Sequence, residues 1–241
     1  MDDKSLYLSL MESVLTGSVY RDPSVAKAYQ DEERIRGGDW PLHSHTMIGQ
    51  KRLHQLREAC EAVLRENIPG NLLECGVWRG GAAIMMKAVL VANDCNDREV
   101  ILADSFCGLP DVIAPQDHTF HMSREDLDFL KVSMDEVKDN FRSYGLLDSS
   151  IKFIPGWFSE SLPSINAKLA VLRADGDLYS STLDILQNCY DLVSDGGFVI
   201  IDDYGAMIEC RRAVDKFLEE RKLKVDMQEI DWSGVYWRVR K

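Results

Sequence analysis

Along the chain, short apolar runs rich in Val, Ile and Leu, each ending on an acid or a glycine, alternate with longer stretches whose apolar residues recur at helical spacing. Uninterrupted apolar runs fit strands buried on both faces, and helices between them make the strands parallel. The pattern predicts strands at residues 72–75, 100–103, 151–154, 169–172 and 198–201, with helices at 82–92 and 183–193. Asp195-Gly196-Gly197 is expected to stop the second of these helices and feed the strand at 198–201. Two more strands are predicted at 224–230 and 235–239, joined at Trp232-Ser233-Gly234 by a connection short enough for a hairpin, so that the parallel sheet ends antiparallel. The fold class is α/β. Before the first strand, residues 1–68 hold helical patterns at 6–15 and 52–64 around the loop Gly37-Gly38-Asp39-Trp40-Pro41, and read as a helical cap on one domain spanning 1–241.

A chain of 241 residues with 45% hydrophobic content buries a sizeable core, which excludes disorder as the dominant state. Its 28 Lys and Arg against 40 Asp and Glu give a net charge of −12. So acidic a surface repels phosphate backbones and anionic lipid, and neither a nucleic acid nor a membrane is expected as a partner. Cys60, Cys75, Cys95, Cys107, Cys189 and Cys210 are scattered without C-x-x-C spacing, which points to a reducing compartment. The opening MDDKSLYLSL lacks a basic segment followed by a long apolar stretch, and no apolar run approaches the roughly 18–20 residues of a membrane span. A soluble, cytoplasmic protein is the expectation.

In open α/β sheets ligands gather at the carboxyl ends of the strands, and here those ends are acidic. The first strand runs out through Glu74-Cys75-Gly76-Val77-Trp78-Arg79-Gly80-Gly81, whose glycines allow a backbone turn to approach a ligand. Its spacing is G-x-x-x-G-G rather than G-x-G-x-x-G, and Trp78 stands where a dinucleotide fingerprint needs glycine, which weakens a nicotinamide reading. Asp104, ending the second strand, is equally a helix N-cap and an acceptor for the two hydroxyls of a ribose, as in any adenosine-bearing cofactor. Asp175-Gly176-Asp177 and Asp202-Asp203 end two strands that should be neighbours. Two unit charges about 4 Å apart repel by about 4 kcal/mol at an effective dielectric near 20, so the four acids are either solvated helix caps or gathered around something positive. Oxygen ligands without His or Cys favour a hard cation, and Mg2+ suits a site that keeps positions for substrate oxygens.

These blocks resemble the macrocin O-methyltransferase (TylF-like) family of antibiotic biosynthesis, whose members depend on S-adenosylmethionine and Mg2+. The likeness extends over most of the chain, through Gly38-Asp39-Trp40-Pro41, His45-Thr46-Met47-Ile48-Gly49, the segment from Glu74 to Gly81, Asp104-Ser105-Phe106-Cys107-Gly108-Leu109-Pro110, Gly156-Trp157-Phe158, Asp175-Gly176-Asp177-Leu178-Tyr179 and Ile201-Asp202-Asp203-Tyr204. The resemblance implies a class I methyltransferase, Rossmann-like sheet of seven strands, mostly parallel with an antiparallel C-terminal strand. It implies cofactor contacts at Met47, Glu74, Cys75, Gly76, Val77, Trp78, Asp104, Ser105, Phe106, Gly156, Trp157, Phe158 and Asp175, with Trp157 and Phe158 near the adenine. It further places Mg2+ on Asp175, Asp202 and Asp203, makes Asp177 the general base, and suggests a homodimer.

The implied reaction is methyl transfer to a hydroxyl of a small polyoxygenated metabolite, a sugar of a natural-product glycoside. An aromatic diol of the catechol type is the nearest chemical rival, since a metal that chelates vicinal oxygens serves either. A nucleotide-binding oxidoreductase and a non-catalytic binding module are readings of a different class. The stretch 109–148 is too long for an ordinary connection and is expected to form a mobile lid over the acceptor. Within it His118 and His121 have the spacing of a zinc pair but no third soft ligand nearby, so surface residues or substrate contacts are the leading readings. Trp40, Trp232 and Trp237 are assigned to core or interface, without chemistry. Leu6, Leu8, Leu10, Val14 and Leu15 mark an amphipathic helix that covers the sheet or a second subunit.

Overall fold

The computed structural model describes residues 2–112 and 114–241. Three helices come first, α1 (Asp3–Leu15), α2 (Asp31–Arg36) and α3 (Gly49–Arg65), followed by β1 (Asn71–Cys75), α4 (Gly81–Ala92) and β2 (Val100–Asp104). The stretch from 109 to 148 carries α5 (Arg124–Phe129) and α6 (Met134–Ser143) and leads to β3 (Ile151–Pro155), the short α7 (Phe158–Ser161) and β4 (Leu169–Ala174). The chain closes with α8 (Tyr179–Cys189), β5 (Val193–Ile201), α9 (Ile208–Glu220), β6 (Gln228–Glu229) and β7 (Val235–Arg238). The seven strands lie in the order β3-β2-β1-β4-β5-β7-β6. β1 to β5 pair in parallel and β7 runs antiparallel to β5 and β6, as the sequence predicts.

Strand residues alternate between two cores. Leu72, Val100, Leu102, Val171 and Ile200 face α1, α3, α4 and α6, while Leu73, Ile101, Leu172, Val199 and Ile201 face α8 and α9. α4 is apolar on nearly all sides because the sheet covers one face and α1 and α3 the other; its one charge, Lys87, donates to Ser150 at 2.8 Å and pairs with Asp148 at 2.8 Å. α1 contributes Leu8, Met11 and Leu15 to that layer and leaves Leu6 and Leu10 exposed, so the N-terminal helices share the core of the sheet. Full burial of each such side chain contributes about 1.5–3 kcal/mol. α6 opens with Ser133 accepting the backbone N–H of Glu136 at 3.2 Å, which satisfies one of the free donors of its first turn.

Three expectations are corrected. The helix expected at 183–193 begins at Tyr179 and ends at Cys189, with a single 3-10 turn at Tyr190–Leu192. Asp195-Gly196-Gly197 does not end a helix but lies inside β5: the register slips there, Gly196 donates to the Val239 carbonyl at 2.8 Å, and Val239 donates back to that of Gly197 at 2.8 Å. The glycines allow a bulge within a strand rather than break it. Of the strand expected at 224–230 only Gln228–Glu229 pairs, a short exposed edge.

Among the described residues no helix is long and apolar enough to cross a membrane. The strand order reverses between β1 and β4, which sets the crevice for a ligand at their carboxyl ends.

Candidate active site

Gly76 ends β1 with φ +85°, and a Cβ there would fall 1.9 Å from the Asp175 carbonyl oxygen. Only glycine lets β1 and β4 finish this close together, and the Asp175 N–H donates to the Cys75 carbonyl at 2.9 Å. Just beyond the ends of β1, β2 and β4, Trp78 (φ 47°), Phe106 (φ 55°) and Asp177 (φ 52°) adopt the left-handed conformation. Such residues carry on the order of 1–3 kcal/mol of strain each and persist where their surroundings fix them. Three of the seven such residues among those described sit at neighbouring strand ends, so backbone strain is concentrated along this edge of the sheet.

Carboxylate oxygens of Asp175, Asp177 and Asp203 lie within 4.8 Å of one another. Asp202 turns the other way: one oxygen accepts from Arg52 Nη1 and the other from Arg173 Nη2. Arg173, 2% exposed inside β4, also donates to Glu74 at 2.8 Å and to Asp175 at 3.0 Å, and Arg52 Nε donates to Asp231 at 3.1 Å. Part of the positive charge that the acids demand therefore comes from two buried guanidiniums. Five acids, Glu74, Asp175, Asp177, Asp202 and Asp203, still outnumber them. Burial pushes Glu74 up to about 8, and burial with the charges of Asp175 and Asp202 pushes Asp177 up to about 7. Asp175 and Asp203 are raised for the same reasons. One oxygen each of Glu74 and Asp203 is buried without a partner. An all-oxygen donor set with surplus negative charge and an unpartnered carboxylate oxygen fits a hard divalent cation.

Two cavities meet here. One, of about 370 Å³, holds Glu74, Arg52, Arg173 and the four aspartates, together with His45, Met47, Val77, Trp78, Trp40 and Trp232. The other, of about 510 Å³, is walled by Ser105, Pro110, Gly156, Trp157 and Phe158. Gly76, Asp104, Gly108, Leu109 and Asp175 line both. Asp104 accepts the backbone N–H of Val77 at 2.6 Å and of Phe106 at 2.7 Å, so it ties the two strand-end turns together while facing both spaces; burial raises its carboxyl.

The stretch between β2 and β3 folds over the acid-lined cavity, to which it contributes His121, Met122 and Leu130. Phe129 stacks on Trp40 at 5.5 Å and lies 5.5 Å from Trp78, whose Nε1–H donates to the Phe129 carbonyl at 3.2 Å. The Arg79 guanidinium sits 4.2 Å over the Trp78 ring. At its other end Asp117 accepts the backbone N–H groups of Tyr179 at 2.6 Å and Ser180 at 3.2 Å, capping α8 from far away in the chain, and Thr119 donates to Glu209.

Of the residues expected at the cofactor, Met47, Glu74, Gly76, Val77, Trp78, Asp104, Ser105, Gly156, Trp157, Phe158 and Asp175 line one cavity or both. Cys75 and Phe106 line neither: Cys75 points into the core under the sheet and Phe106 packs against Phe153 at 6.0 Å. His121 lines the smaller cavity, His118 does not, and neither belongs to a metal-like cluster among the described residues. Sequence reasoning missed Arg173 and Arg52. The first had a signal, a lone arginine in the apolar run of β4; the second had none, because an arginine at the start of a helix is ordinary. Trp237 is fully buried as expected, whereas Trp40 and Trp232 reach the cavity.

Comparison with known proteins adds an independent finding. The family model described as "Macrocin-O-methyltransferase (TylF)" matches residues 18–239. Demethyldecarbamoylnovobiocin O-methyltransferase of Streptomyces niveus is 47% identical over 247 residues, covering 98% of this chain and 94% of that protein. A Streptomyces olivaceus protein named 8-demethyl-8-(2,3-dimethoxy-alpha-L-rhamnosyl)-tetracenomycin-C 4'-O-methyltransferase is 45% identical over 245 residues, covering 98% of this chain and 94% of its own. The solved structure of the O-methyltransferase NovP superposes with a TM-score of 0.96 at 47% identity, covering 99% of this chain and 100% of that one.

Proposed function

The chain belongs to the macrocin O-methyltransferase family and is an S-adenosylmethionine-dependent O-methyltransferase, and from that premise we propose that it methylates a sugar hydroxyl of a natural-product glycoside with the help of Mg2+. The observation that carries this reading is the convergence of Asp175, Asp177 and Asp203 in a cavity that shares a wall with a second one suited to an adenosine. The sugar acceptor follows the relatives, one of which names a rhamnosyl group in its substrate.

In-line displacement at a methyl carbon asks the protein to align two reactants and to remove a proton from the acceptor. Alignment falls to the two adjoining cavities: Trp157, Phe158 and Asp104 hold the adenosine end of the donor, and the acid-lined cavity holds the acceptor. Asp177 takes the proton. Without a cation, burial and the charges of Asp175 and Asp202 push its carboxyl up to about 7; a bound dication would lower it and at the same time make the acceptor hydroxyl easier to deprotonate. Asp175 and Asp203 would hold Mg2+; Asp202, the third ligand that the family resemblance implies, faces Arg52 and Arg173 and would have to turn from them to join the ion. The chemistry a divalent ion supplies there is stabilisation of the negative charge that develops on the acceptor oxygen. Arg173 and Arg52 keep the carboxylates in place when no cation offsets them.

Incubation with methyl-labelled S-adenosylmethionine, Mg2+ and a panel of deoxysugar glycosides and catechols tests the proposal. Label is expected on a sugar oxygen, lost in excess EDTA and restored by added Mg2+. Label on catechols alone would overturn the acceptor class, and undiminished turnover in EDTA would overturn the metal.

A further inference from the structure

We propose that Trp232 is a specificity-determining residue, a fixed aromatic platform at the rim of the acid-lined cavity that takes the flat, apolar part of the acceptor beyond the ring that is methylated. The inference rests on the glycoside reading above.

Three observations carry it. Trp232 lines the same cavity as the aspartates yet remains 51% exposed, while Trp237, a few residues on, is fully buried. Its indole is already oriented, because Nε1–H donates to the Arg36 carbonyl at 2.8 Å; the polar edge is satisfied and a broad face is left for a ligand. An aromatic surface held in place before binding loses little freedom when a ligand stacks on it.

The loop that bears it is also fixed relative to the acids. Arg52 bridges Asp231 and Asp202, Ser233 Oγ donates to the Asp202 carbonyl at 2.6 Å, and the Gly205 N–H donates to the Ser233 carbonyl at 2.7 Å. At Gly205 the Trp232 carbonyl approaches so closely that a Cβ would lie 2.1 Å from it. Spacing between indole and carboxylates is thus set by packing. Trp40, Met122 and Met207 supply further apolar wall in the same cavity. A polar floor with a fixed aromatic rim matches a molecule with hydroxyls at one end and an aromatic or conjugated ring at the other, rather than a free sugar.

Two acceptors sharing one sugar, a glycoside of a planar aromatic aglycone and the corresponding methyl glycoside, provide the test. Trp232→Ala should raise KM for the aromatic glycoside by about 10–100-fold, the range of one well-packed aromatic contact, with the change falling in KM rather than kcat. The rise for the methyl glycoside should be at least tenfold smaller, and Trp232→Phe should recover most of the loss. Equal rises for both acceptors, or a fall in kcat with KM unmoved, would mean that the loop is merely structural and would overturn the platform alone. Wild-type protein that labels neither glycoside would overturn the glycoside reading and the platform with it.

Discussion

Asp175, Asp177, Asp202 and Asp203 reach the cavity from the ends of two adjacent strands, whereas Trp40 and Trp78, with Phe129 packed on both, meet on its other side from three segments far apart in the chain. The acidic side is positioned by the ladder of β4 and β5 and by two arginines that share its carboxylates. The aromatic side has no ladder: it is held by ring stacking, one indole hydrogen bond and a guanidinium lying over a ring. Strand ends give precise placement of charge at the expense of crowding like charges. The stacked side concentrates apolar area without crowding like charges. Loss of an acid should therefore appear in rate, loss of an arginine that holds the acids in stability, and loss of a stacked ring in stability and binding.

The largest effect is expected at the acidic side. Asp177→Asn should slow methyl transfer by about 10²–10⁴-fold, the usual contribution of a positioned base, while calorimetry shows donor affinity retained. Wild-type turnover in that variant would remove the contrast. Next comes Arg173→Met, which leaves Glu74, Asp175 and Asp202 without their shared cation; urea unfolding should show a loss of about 3–5 kcal/mol, as for other buried pairs broken on one side. A loss below about 1 kcal/mol would show those acids protonated rather than paired. On the aromatic side Phe129→Ala should cost about 1–3 kcal/mol of stability, since the ring is only partly buried, with weaker acceptor binding and little change in kcat.

The smallest effect concerns pH. His45 lies beside both sides, its Nδ1 sharing a hydrogen bond with the Tyr144 hydroxyl at 2.7 Å. Burial, reinforced by Arg79, holds the imidazole below its ordinary value near 6.5, so as pH falls through that value the unfolded chain binds a proton that the folded one refuses. This contribution to stability is complete above 6.5 and is lost progressively below it, down to the folded pKa. The urea midpoint should decline over that window, and His45→Gln should flatten the decline.

The same contrast explains what the sequence revealed. β1 to β5 and β7 were legible because each is an apolar run with a polar end, and the gathering of acids at those ends was legible with them. The family resemblance implied a division of roles among the aspartates, which spacing alone leaves open. Arg52 and Phe129 were not legible, because what gives them meaning is a partner 150 residues away in one case and rings from two other segments in the other. The bulge at Gly196-Gly197 was misread for a similar reason: a turn signal becomes a strand once the Val239 backbone lies alongside to accept and donate.

Asp117 belongs to the segment between β2 and β3, yet it completes the first turn of α8, the helix that follows directly on Asp177 and Leu178. The Tyr179 and Ser180 amides therefore have their partner only while the distant stretch bearing Asp117 stays seated, and the start of α8 and that stretch behave as one mechanical unit.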